Sequence, residues 1–130
     1  MNTQHLVKLL EARLPSVVFF NNAIDKSKDR CVGVYLRGRE APYIALGGLS
    51  NTSYGVKSFT ILVHWSQDSN ECESKAQEIY DSLFGLGITI VDGVKLTSIK
   101  MLDSSPVDLS RTDTNICEMA IRVTITYERS

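Results

Sequence analysis

Histidine and cysteine are scarce in this chain, and their scarcity excludes more chemistry than any motif supplies. There are 2 histidines, His5 and His64, and 3 cysteines, Cys31, Cys72 and Cys117, all far apart. Neither Cys-x-x-Cys nor His-x-His spacing occurs, so a metal site would have to gather ligands from scattered places, and no nucleophile–base pair is signalled. Three separated thiols, two of them on stripes expected to be buried, read as reduced packing residues rather than as a disulfide framework. An excess of one charge is also missing. With 14 basic and 15 acidic side chains, a net charge of -1 and both signs mixed along the chain, there is no basic field to hold DNA or an anionic membrane. No apolar run approaches the roughly 20 residues that span a bilayer, and the N-terminus reads as polar and then helical rather than as a secretory signal. The expectation is a soluble protein made in the cytoplasm, with no membrane partner. Internal repeats and low-complexity segments are absent.

What is present is enough apolar material for a core: 43% of 130 residues are hydrophobic, and residues 1–130 read as a single domain. The organising stretch is 57–86. Phe59, Ile61, Val63 and Trp65 alternate with Ser58, Thr60 and His64, the period of a half-buried strand. The period then changes to that of a helix at Cys72, Ala76, Ile79, Tyr80, Leu83 and Phe84. Capping residues at 66–70, with Glu71 and Glu73 in the first turn, start this helix near Ser69, and Gly85 and Gly87 stop it. Strand and helix are expected to fold against each other and bury Trp65.

Upstream, Leu6, Val7, Leu9, Leu10 and Leu14 form a helical stripe, capped by Asn2 or Thr3 and stopped at Pro15. Two β-rich runs, 17–20 and 31–36, flank a charged segment and read as a hairpin. Residues 38–55 read as a long loop that carries Tyr43, Ile44, Leu49 and Tyr54, apolar surface that is folded down or kept for a partner. Downstream, Asp92-Gly93 predicts a two-residue hairpin turn between 88–91 and 94–102. Residues 103–115 read as a second polar connection, broken by Pro106 and Asp113. The last strand sets Cys117, Met119, Ile121, Val123, Ile125 and Tyr127 against Glu118, Arg122, Thr124 and Thr126. The order of elements gives an α+β fold with a mainly antiparallel sheet and two helices packed on one face.

Few residues are placed for chemistry. His64, on the polar face of its strand and without a companion motif, is expected at the surface or at an interface. Cys72 and Cys117 lie in apolar stripes, where a thiol stays protonated. Gly47-Gly48 is not followed by a helix and so does not read as a phosphate loop. Asp68, Glu71, Glu73, Glu78 and Asp81 compensate the helix dipole and solvate one face. Arg37 and Arg39 are either solvated or poised for a partner. No cofactor, metal or catalytic constellation is expected. Two other classes stand beside an assembly protein: an enzyme, which would need a cleft with a perturbed acid or base, and an RNA-binding domain, which would need aromatics on the open sheet face. Ser58, Thr60, Leu62, His64, Arg122, Thr124 and Thr126 on that face include none.

Three blocks together carry a resemblance: 42–55 (PYIALGGLSNTSYG), the strand–helix block 61–85 with Val63-His64-Trp65 and Ala76-Gln77-Glu78-Ile79-Tyr80, and 104–128 with Pro106-Val107-Asp108-Leu109. They resemble the small minor capsid proteins of tailed bacteriophages of Gram-positive bacteria, similar to tail terminator (tail completion) proteins. The resemblance implies a structural virion protein without catalytic residues. It is assembled in the host cytoplasm into a ring, typically of six copies, at the head–tail interface. Its implied partners are itself, the tail tube protein and the head–tail connector protein, with DNA passing through unbound; another head-completion protein is the neighbouring alternative. On that reading the contact residues are Arg37, Arg39, Tyr43, Leu49 and Tyr54 around the first loop, and Asp108 and Arg111 in the second.

Overall fold

The computed structural model describes residues 1–25, 28–37 and 54–128. The chain begins with α1 (Thr3–Arg13), whose cap is reciprocal. The Asn2 side chain accepts from the His5 amide at 3.2 Å, and His5 Nδ1 accepts from the Asn2 amide at 3.0 Å, so two amides that the helix leaves open are satisfied together. This is the work of His5. The helix ends at Leu14, next to Pro15 as the sequence predicts. Leu6, Val7, Leu9 and Leu10 are buried in the core.

β1 (Val18–Asn21) and β2 (Cys31–Leu36) do pair, but in parallel, with Val18 opposite Cys31 and Asn21 opposite Val34. The expected hairpin is therefore wrong. Asn22 takes a left-handed φ of 56° and its amide donates to the Val34 carbonyl, which turns the chain back along β2 instead of across it. The returning segment passes so close to β2 that a Cβ on Gly33 would lie 2.5 Å from the Ile24 side chain and 2.6 Å from the Ala23 carbonyl. Only glycine allows that approach.

The centre of the sheet is β3 (Tyr54–His64) against β7 (Cys117–Glu128), antiparallel from Tyr54–Glu128 to His64–Glu118. β3 starts at Tyr54, so the last two positions assigned to the first loop, Tyr54 and Gly55, belong to a strand. A side chain at Gly55 would meet the Tyr127 ring opposite at 2.6 Å, and the aromatic ring covers the glycine backbone. Residues 38–53, with Arg39, Tyr43 and Leu49, lie outside the described residues. The second helix, α2 (Ser69–Leu83), has Asp68 as its cap, accepting from the Asn70 and Glu71 amides. It is followed by Gly85 at a φ of 71°, the left-handed residue that ends helices.

β4 (Thr89–Val91) and β5 (Val94–Met101) form the predicted hairpin, with Asp92 and Gly93 both at positive φ. Residues 107–111, expected to be irregular, form β6 (Val107–Arg111). β5 and β6 share one edge of β7: β5 covers 123–127, and β6 covers 117–120 with a register shift. All five β6 residues are exposed, so the alternation of Val107 and Leu109 with Asp108 and Ser110 buries neither face and the strand rests on backbone pairing.

Among the described residues, the sheet is 7-stranded in the order β1-β2-β3-β7-β5-β4, with β6 beside β7. Its inner face, with Val32, Val34, Phe59, Ile61, Val63, Ile121, Val123 and Ile125, joins the apolar stripes of both helices in one core. The α+β architecture expected from the sequence is the one observed.

Candidate functional site

Both helices pack on the inner face of the sheet, and no described helix lies on its outer face. The described residues among those expected to make contacts fall into two groups. Arg37 follows β2, half-buried, and its amide donates to the Ser58 carbonyl. Nearby, the Arg122 guanidinium holds both oxygens of Asp103, at 2.8 Å and 2.6 Å. Those hydrogen bonds hold the Asp103 carboxyl below the usual aspartate range, and the charge of Arg37 adds a smaller push in the same direction. Tyr80 Oη donates to the Asp103 carbonyl at 2.7 Å, so Asp103 is tied to α2 through its backbone and to the outer face through its side chain. Tyr54 stands further along β3, opposite Glu128.

Asp108 and Arg111 belong to the other group. Asp108 Oδ1 accepts from the Ser110 amide at 2.9 Å, the side-chain turn that aspartate favours. Arg111 Nη1 donates to the carbonyls of Gln67 at 2.9 Å and Asn115 at 3.0 Å, stapling the turn at 112–115 to the start of α2. Both line a groove of about 400 Å³ with Ser69, Cys72, Glu73 and Met119. Arg37 lies level with Ser58, and Asp108 with Met119 and therefore Val63. The two groups are thus about 17 Å apart along the strands at ~3.3 Å per residue, and the structure does not bring them into one site.

His64 departs from its expected position. Its side chain is 2% exposed, with Nδ1 2.8 Å from Glu118 Oε2. The turn at 112–114 and Glu118 close this end of the outer face, sharing with His64 a cavity of about 270 Å³. Strand alternation places a residue on a face but does not reveal that a distant turn covers it. The outer face is also less uniformly polar than expected: Gly33 and Ala120 are buried, and Tyr35, opposite Thr60, is an aromatic that the sequence reading left off this face. Its ring packs over Gly33. One half-buried ring beside neutralised Arg122 does not make a base-stacking platform.

The three cysteines are buried and free. Burial pushes the Cys72 thiol up to about 12, and its Sγ lies 3.4 Å from the Cys117 carbonyl, so it is a packing group rather than a nucleophile. Among the described residues no group of three or more His, Cys, Asp or Glu is placed to hold a metal ion. No described helix is long and apolar enough to cross a membrane.

A family model described as bacteriophage tail terminator protein matches residues 4–129. A comparison with curated proteins returns no match. The matched family is a structural family of the phage tail, not an enzyme family, which makes its members components of the virion. The match runs from the first turn of α1 to the residue after β7, and the chain therefore belongs to the bacteriophage tail terminator family.

Proposed function

We propose that this protein completes the phage tail as a homo-oligomeric ring at its head-proximal end, capping the tube and presenting a surface to the head–tail connector. The observation that carries the reading is the family match over residues 4–129. The hexameric number follows the resemblance to small minor capsid and terminator proteins. A net charge of -1 suits a conduit, because a near-neutral protein cannot hold DNA by neutralising phosphates. Two residue groups separated along the sheet suit a head-to-tail ring, whose contact needs two different surfaces on each copy. In this ring the segment 38–53, with Arg37 and Arg39 at its base, Tyr43 and Leu49 within it and Tyr54 where β3 begins, contacts a neighbouring subunit or the tube; Asp108 and Arg111 face the other partner. The work is contact rather than catalysis, and it requires no cofactor.

Purified protein added to tail tubes and viewed by negative-stain electron microscopy tests this directly. A ring of density at one end of each tube is expected. Bare tube ends at saturating protein would refute the reading.

A further inference from the structure

The cavity beside His64 has a chemistry that the proposed role in the tail does not explain. It measures about 270 Å³ and is lined by His64, Thr112, Asp113, Thr114 and Glu118. Two carboxylates and two hydroxyls are among the lining groups, and among the described residues no lysine or arginine lines it. Arg111, beside Thr112 in the chain, donates to the Gln67 and Asn115 carbonyls, and Arg30, two strands from the turn, to Asp29 and Glu71. His64 supplies a second, independent sign of a ligand. Its Nδ1 faces Glu118 Oε2 at 2.8 Å, while its Nε2 is buried without a hydrogen-bond partner among the described residues. In the tautomer that donates Nδ1–H to the carboxylate, Nε2 carries a lone pair that wants a donor. Leaving such a group buried and unpaired is costly.

We propose that this cavity receives the guanidinium or ammonium group of an arginine or lysine from a protein docking on this end of the sheet. The cation donates hydrogen bonds, which Nε2 and the threonine oxygens accept, and it brings positive charge between Glu118 and Asp113. Charge-assisted hydrogen bonds of this kind are short and strong. The turn at 112–115 is built to hold its shape: Thr112 Oγ1 and Thr114 Oγ1 lie 3.0 Å apart, the Ile116 amide donates to Thr112 Oγ1 at 3.2 Å, and Arg111 anchors the turn from outside. The proposal concerns one cation-accepting cavity and stands independently of ring formation.

The test follows His64 Nε2 by nitrogen NMR in the full chain labelled at histidine, during titration with ethylguanidinium chloride and, at equal ionic strength, with sodium chloride. A saturable shift of Nε2 with ethylguanidinium alone is expected. Asp113→Asn, in an exposed turn where folding is not at stake, should weaken the apparent affinity by about threefold, the effect of one partly exposed charge. Putrescine separates a side-chain site from a free-diamine site: it should saturate no more tightly than ethylguanidinium. An unmoved Nε2, a shift that grows linearly in both salts, or an affinity unchanged by Asp113→Asn would overturn the proposal. Tighter saturation by putrescine would overturn its assignment to a protein side chain.

Discussion

The Trp65 indole Nε1 donates to Glu71 Oε1 at 2.9 Å, which joins the end of β3 to the first turn of α2 across the polar connection between them. The ring is 7% exposed and belongs to the core, Lys75 Nζ stands 5.4 Å from its centroid, and Glu71 also accepts from Arg30 Nε. One carboxylate thus gathers the indole, a helix start and the residue before β2.

Trp65→Ala removes the ring and leaves a cavity at this junction, so it should cost about 3–5 kcal/mol, the usual range for deleting a buried large aromatic. Urea unfolding measures it. A loss well under 1 kcal/mol would mean that the ring does not pack as described.

Burial holds the Cys72 thiol at about 12, so it stays protonated throughout the neutral and mildly alkaline range. Alkylation by iodoacetamide at pH 8 should leave Cys72 unmodified in the folded protein and modify it within minutes in urea. Fast labelling of the folded protein, located by peptide mass spectrometry, would contradict the buried placement.

Much of the fold was legible because its elements announce their own periods. Phe59, Ile61, Val63 and Trp65, then Ala76, Ile79, Tyr80 and Leu83, fall where the sequence puts them, and all are buried. Asn2, Asp68, Gly85 and Asp92-Gly93 mark their boundaries by local chemistry that needs no tertiary information. The misses share one cause. β6 is exposed along its whole length, so the short alternation at Val107-Asp108-Leu109-Ser110 marks no buried face; the direction of β1 relative to β2 follows from the turn at Asn22 and its bond to Val34; and His64 shares its cavity with a turn some 50 residues away in the chain. Those are tertiary facts, set by which backbone covers which face. Asp108 and Arg111, expected in an irregular connection, lie on β6 for the same reason.

The Asp103–Arg122 pair should show in acid. Because the folded carboxyl lies below its ordinary range, its contribution is present above the unfolded aspartate value of about 3.9 and is lost as pH falls through the folded value. Arg122→Gln should therefore lower stability at pH 7, with a difference from the parent that shrinks toward pH 2. Urea midpoints across that range decide it; a difference constant with pH would exclude this carboxylate as the source.

Gly93 sits at a φ of 82° in the turn between β4 and β5, with open space around its Cα. Gly93→Ala meets no clash and isolates the backbone cost, about 1–2 kcal/mol for an L residue held left-handed. Thermal unfolding reads it, and no change in midpoint would show that the turn is not held in this conformation.

The central claim is that this protein ends the tail and readies it for the head. Electron microscopy of particles assembled without it measures that claim most directly. The account predicts overlong tails, or tails left unjoined to heads, with wild-type lengths and joining restored when the protein is supplied. Tails of normal length joined normally to heads would contradict it.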